Sequence, residues 1–124
     1  MRIIIVDDIF INRLLIAEIV KSQGHIIIEA ENGRQAIELL KKDPAVDMIL
    51  MDIEMPVMNG IEATRYIRES MPPPVNKIPV IALTAHNPKL FFEDYNDVGF
   101  NQLLTKPYSI EKIVKVIDAF KKNP

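Results

Sequence analysis

The chain predicts an α/β domain in which five parallel strands alternate with five helices. Two observations carry that prediction. Continuous apolar runs such as Ile3-Ile4-Ile5-Val6 and Met48-Ile49-Leu50-Met51 lack the polar alternation of a half-exposed strand and suit strands buried on both faces. Between the runs lie longer segments whose apolar residues recur at helical spacing. That alternation implies parallel strands with helices on both sides of the sheet. A third observation bears on function: the runs end in Asp7-Asp8, Asp52, Thr84 and Lys106. In open α/β sheets the carboxyl ends of the strands are where ligands bind.

Each element has its own signal. Arg2 to Val6 is β-branched and continuous, hence the first strand. In the first helix Ile11, Leu15, Ile16, Ile19 and Val20 form the apolar set, Arg13, Glu18 and Lys21 are placed opposite, and Gly24 closes it. His25 to Ala30 is the second strand and Asn32-Gly33 a turn. Ala36, Ile37 and Leu40 mark the second helix, ended by Asp43-Pro44. The strand ending at Asp52 follows, and Asn59-Gly60 opens a third helix with Ile61, Thr64 and Ile67. Met71-Pro72-Pro73-Pro74 cannot be helical and reads as a stiff surface loop.

Ile78 to Leu83 is the fourth strand, running into Thr84-Ala85-His86. Asn87-Pro88 is a cap with proline at the first helical position, and Phe91, Tyr95 and Val98 form one face of the fourth helix, ended by Gly99. Phe100 to Leu104 is the fifth strand, leading into Thr105-Lys106-Pro107. Ser109 caps a last helix with Ile110, Ile113, Val114, Ile117 and Phe120 inward.

Composition narrows the class. The 124 residues fit one domain spanning 1–124, without repeat or linker; 48% are hydrophobic, enough for a core. A net charge of −2 and the lack of a Lys/Arg run argue against nucleic-acid binding. Without cysteine there are no disulfides or thiolate metal sites. No apolar stretch reaches membrane-spanning length, and a cytoplasmic domain is expected.

If the first and third strands are neighbours, the carboxylates of Asp7, Asp8 and Asp52 share a few ångströms. Two like charges about 4 Å apart repel by roughly 4 kcal/mol at an effective dielectric near 20, so three call for a cation. Oxygen-only ligands favour a hard ion, Mg²⁺ before Zn²⁺. With the Thr84 hydroxyl and the Lys106 ammonium opposite, the set suits phosphoryl transfer to a carboxylate.

These residues resemble the receiver domain of two-component response regulators over essentially the whole chain. The likeness rests on Asp7-Asp8, on Met51-Asp52-Ile53-Glu54-Met55-Pro56-Val57-Met58-Asn59-Gly60, on Thr84-Ala85 and on Lys106-Pro107, in that order. Asn12-Arg13 and Gly60-Ile61-Glu62-Ala63-Thr64 are similar to receivers of hybrid sensor kinases. The resemblance implies a flavodoxin-like sheet of order 2-1-3-4-5. It implies that Asp52 accepts phosphate from a phosphohistidine on a histidine kinase or histidine phosphotransfer protein. Asp8, Asp52 and the Glu54 backbone carbonyl would bind Mg²⁺, with Asp7 acting mostly through water. Lys106 would hold the phosphoryl group, Thr84 would swing toward it, and Lys106-Pro107 would be a cis peptide. One position departs: the family often has Tyr or Phe three residues before the lysine, where this chain has Leu103.

The expected function is therefore a signalling module and not an enzyme on an external substrate. Alternatives are a Mg²⁺-dependent phosphohydrolase with an Asp nucleophile, a flavin-binding protein, and a receiver that is never phosphorylated. Glu54 stands where such hydrolases commonly carry a second Asp, and Asp7-Asp8 would repel a flavin phosphate. With no output domain after the last helix, the chain reads as a stand-alone regulator or the receiver of a longer kinase. His25 and His86 read as surface residues, and Met48, Met51, Met55 and Met58 as gap fillers. The first helix has more apolar residues than one inward stripe needs, so Phe10 and Leu14 are expected in a docking patch for a helical phosphotransfer partner.

Overall fold

The computed structural model describes residues 1–85 and 87–121. Strands β1 (Arg2–Val6), β2 (Ile26–Ala30), β3 (Met48–Asp52), β4 (Val80–Thr84) and β5 (Gln102–Thr105) alternate with helices α1 (Phe10–Ser22), α2 (Gly33–Lys42), α3 (Gly60–Ser70), α4 (Pro88–Tyr95) and α5 (Ile110–Ala119). A 3₁₀ turn at Val75–Lys77 lies between α3 and β4. All neighbouring strands are parallel, in the order β2-β1-β3-β4-β5. Strands β1 and β3 are thus adjacent, in a register that sets Val6 beside Met51.

The pleat sorts the core into two layers, because successive strand residues point to opposite faces. Ile4, Val6, Ile49 and Met51 pack with Ala36, Ile37, Leu40, Ala63 and Ile67 of α2 and α3. Ile3, Ile5, Met48 and Leu50 pack with Ile16, Ala17, Val20, Ile113 and Ile117 of α1 and α5. Asp7 and Asp52 have the parity of this second set, so both carboxylates emerge on the α1–α5 side of the sheet edge. The central strands β3 and β4 are buried at every position, as their uninterrupted apolar sequences require.

Several boundaries differ from the sequence expectation for identifiable reasons. Asn32-Gly33 starts α2 instead of forming a free turn: the Asn32 side chain accepts the Gln35 N–H at 2.9 Å. Strand β4 begins at Val80 and not Ile78. Strand β5 begins at Gln102, because Asn101 pairs with Val80 through its own N–H (2.9 Å) and its side-chain oxygen (2.8 Å). Helix α4 stops at Tyr95; Val98 lies in the following turn yet is buried. Of the Met71–Pro74 loop, Met71 is buried against the α2–α3 layer and only the prolines face outward. His25 is buried and not a surface residue, its Nδ1 lying 3.0 Å from the Met1 amino nitrogen. His86 lies outside the described residues.

The larger corrections concern helix phase. The buried face of α1 is Arg13, Ile16, Ala17 and Val20, while Ile11 and Leu15 point outward. Ile110, expected inward, is likewise exposed. Both helix faces satisfy helical spacing; packing selects between them.

Candidate phosphoryl-transfer and metal site

Asp7 follows β1 and is fully buried. Its backbone N–H donates to the Ala30 carbonyl on β2 at 3.1 Å, and its Oδ1 accepts the Ile9 N–H at 2.9 Å. Its Oδ2 is buried without a hydrogen-bond partner among the described residues. Such an orphan costs on the order of 1–3 kcal/mol, more when charged, unless a further ligand engages it. Asp8, next in the chain, is exposed.

Asp52 is the last residue of β3 and only 2% exposed. Its Oδ1 accepts the Ile53 N–H at 2.9 Å and the Lys106 ammonium at 3.1 Å. A glycine at the start of α3 makes room for this strand end. A Cβ on Gly60 would stand 2.3 Å from the Asp52 carbonyl oxygen, and the Gly60 N–H donates to the Ile53 carbonyl at 3.0 Å. The neighbouring Asn59 forms a reciprocal cap with Glu62, fixing where α3 begins.

One ligand atom from each of Asp7, Asp8 and Asp52 can be chosen so that all lie within 4.8 Å of one another. Burial pushes the Asp52 carboxyl above the usual carboxylate range; Lys106 opposes that and the Asp7 charge adds to it. Asp7 is also pushed up, chiefly by burial, against its bond to the Ile9 amide and the charge of Lys106. One ammonium cannot neutralise three carboxylates. The oxygen-only donor set, the excess negative charge and the orphaned Oδ2 fit a hard divalent cation such as Mg²⁺.

Thr84 ends β4, is buried, and pairs in register with Thr105 of β5. The Lys106 N–H donates to the Thr84 carbonyl at 2.8 Å, tying the two strand ends together. Thr84, Glu54, Ala85 and Lys106 line one small cleft with Asp52. The Lys106-Pro107 peptide is cis, as the resemblance implied. Every side chain singled out at a strand end thus lies at one sheet edge. Leu103 packs with Ile53, Ala82, Phe91 and Phe100.

Two nearby residues escaped the sequence reading. Arg13 was placed on the outer face of its helix but is buried, its Nη1 donating to the Asp7 carbonyl at 2.7 Å. The signal was present, since Arg13 shares the Arg13-Ile16-Ala17-Val20 spacing of a buried face. The Tyr108 hydroxyl is buried without a hydrogen-bond partner among the described residues, and burial together with the Asp52 and Asp7 charges pushes it far above the usual phenol range.

Comparison with known proteins agrees with this geometry. The response regulator receiver domain profile matches residues 3–118. Hybrid signal transduction histidine kinase B of Dictyostelium discoideum is 37% identical over 122 residues, covering 91% of this chain but 6% of that protein. The polar-differentiation response regulator DivK of Brucella anthropi is 30% identical over 118 residues, covering 95% of this chain and 94% of that one. Among solved structures, the chemotaxis protein CheY4 of Vibrio cholerae superposes with a TM-score of 0.87 at 26% identity, covering 97% of this chain and 98% of that one. The receiver domain of a sensor histidine kinase from Pseudomonas aeruginosa superposes with a TM-score of 0.85 at 29% identity, covering 96% and 95%; that structure has a magnesium ion coordinated in its active-site cleft.

The receiver-domain match assigns this parallel sheet with its acidic, lysine-faced edge to a signalling module. The chain belongs to the response regulator receiver domain family. It spans only 6%, 7%, 14% and 17% of four kinases among the relatives it matches, and nearly all of DivK.

Proposed function

We propose that residues 1–124 form one receiver domain whose phosphoacceptor is Asp52. The observation that carries this reading is the convergence of Asp7, Asp8 and Asp52 with the Lys106 ammonium 3.1 Å from Asp52. A carboxylate oxygen of Asp52 attacks the phosphorus of a phosphohistidine; the O–P bond forms, the P–N bond breaks, and the imidazole keeps the electron pair. Asp8, Asp52 and the Glu54 backbone carbonyl would hold Mg²⁺, and Asp7 would act through water. When bound, the cation offsets carboxylate repulsion and the charge on the transferring phosphoryl group. Lys106 grips a phosphoryl oxygen and the Thr84 hydroxyl moves to another. The Mg²⁺ reported for the Pseudomonas receiver supports the ion assignment.

The donor is a histidine kinase or phosphotransfer protein, and the domain works in the cytoplasm as a switch, turning over no external substrate. Support for a helical partner comes from Leu15 and Ile110, both exposed, which line a groove between α1 and α5 with Lys106 and Pro107; Phe10 and Ile11 are exposed on the same helix as Leu15. Leu14, assigned to the patch from sequence, is less exposed than Leu15 (38% against 60%). The direct test is labelling by acetyl phosphate in Mg²⁺. Wild type is expected to take up phosphate at Asp52 and Asp52→Asn to take up none; label persisting in that variant refutes the assignment.

A further inference from the structure

We infer that Arg13 is a positioning residue for the cation site: it holds the Asp7-Asp8 turn in the arrangement that presents both carboxylates. The inference rests on the Mg²⁺-binding reading above. Helix α1 has Ile9 at its N-cap, which makes no side-chain cap hydrogen bond of its own, and the Asp7 Oδ1 that accepts the Ile9 N–H belongs to the turn itself. The turn that carries the two acids must be fixed by other means. Arg13 supplies one of them, with its Nη1 2.7 Å from the Asp7 carbonyl oxygen. That carbonyl shares a planar peptide unit with the Asp8 N–H, so fixing it also fixes the plane from which the Asp8 side chain departs. Asp8 is exposed, so its placement leans on this backbone.

Arg13 is itself held from two sides. Its Nε donates to Glu29 Oε1 on β2 at 3.0 Å, and its guanidinium carbon lies 5.6 Å from the centre of the Phe10 ring. Its side chain is 9% exposed, against 42% for Glu29. Glu29 offsets part of the guanidinium charge; the remaining charge favours ionised Asp7 but opposes a cation, so a loss of Mg²⁺ affinity on removing Arg13 reports geometry and not charge. The planar fork is what allows one side chain to make both bonds; lysine could not reproduce them.

Mg²⁺ affinity measured by calorimetry tests this on the full chain, beside the acetyl phosphate labelling rate as a function of Mg²⁺. Partners that orient metal ligands typically contribute 10–100-fold in affinity. Arg13→Met is expected to weaken Mg²⁺ binding by about tenfold. Its labelling rate should return close to wild type once Mg²⁺ is saturating, which a generally disordered site would not do. Glu29→Gln, which leaves Arg13 in place, should weaken binding in the same direction and by less. A folded Arg13→Met protein with wild-type Mg²⁺ affinity overturns the inference, as does a rate loss that saturating Mg²⁺ fails to recover. Should Arg13→Met not fold, Glu29→Gln decides, and unchanged affinity there is equally fatal. Wild type that neither binds Mg²⁺ nor labels removes the functional reading and this inference together; wild type that does both, matched by the variants, removes this inference alone.

Discussion

Asp52 meets two opposing demands. To be a reactive carboxylate at a shielded sheet edge it must be buried, yet burial disfavours its charge. Its folded pKa is raised, so between the ordinary value of 3.8 and the raised one the folded state binds more protons than the unfolded chain. Stability therefore falls as pH rises through that window. In metal-free protein Asp52→Asn should be more stable than wild type at neutral pH, with the gap closing as pH drops toward 3.8; denaturant titrations across pH read this directly. Asp7 is shifted the same way and adds to the trend. Gly60 acts at the same scale. A Cβ there meets the Asp52 carbonyl at 2.3 Å, closer than backbone can yield without moving the strand end. Gly60→Ala should cost about 1–3 kcal/mol in urea unfolding and slow labelling of Asp52.

Among the elements, α3 is pinned at both ends by side chains. At its start stands the Asn59–Glu62 cap. At its end Arg68 donates to the Gly99 carbonyl from Nε and Nη2, to the Asn76 and Ile78 carbonyls from Nη1, and to the Asn101 side chain from Nη2. Gly99 has φ 106°, and a Cβ there would sit 2.9 Å from the Arg68 side chain, so this approach needs glycine. One guanidinium thus joins α3 to the loops entering β4 and β5. Arg68→Met should destabilise the fold by about 2–3 kcal/mol, since it leaves carbonyls at the loop junction unpaired, measured as a lowered urea midpoint at unchanged slope. Helix α1 teaches a different lesson. Its sequence is apolar around much of its circumference, so two phases fit its spacing, and the choice fell to Arg13, which found partners in the interior.

For the whole molecule, the outward face of α1 becomes a consequence of that phase. Ile11 and Leu15, which the sequence suggested for the core, lie exposed, and Leu15 lines a groove with Ile110, Lys106 and Pro107. Under the proposed function, this groove beside Lys106 is where a phosphohistidine-bearing partner would dock. Leu15→Asp should slow phosphotransfer from a cognate kinase by about tenfold or more, the effect of losing an apolar anchor of roughly 1.5–3 kcal/mol, while acetyl phosphate labelling stays near wild type. Equal loss with both donors would place Leu15 in the fold and not the interface.

How much was legible follows from these cases. The apolar runs with no polar alternation dictated buried parallel strands, and the residues ending each run marked the sheet edge where they converge, because strand period and helix period are local properties of the chain. The residues Asp7, Asp8, Asp52, Thr84 and Lys106 were readable for the same reason: strand ends can be located without knowing their neighbours. Strand order came from the family resemblance and from no single segment's pattern, whereas the phase of α1, the exposure of Ile110, the burial of His25 and the clasp from Arg13 to the Asp7 carbonyl were settled only in three dimensions. Each depends on contacts between residues distant in sequence, where burial area and hydrogen-bond satisfaction of the assembled core outweigh any preference a single segment carries.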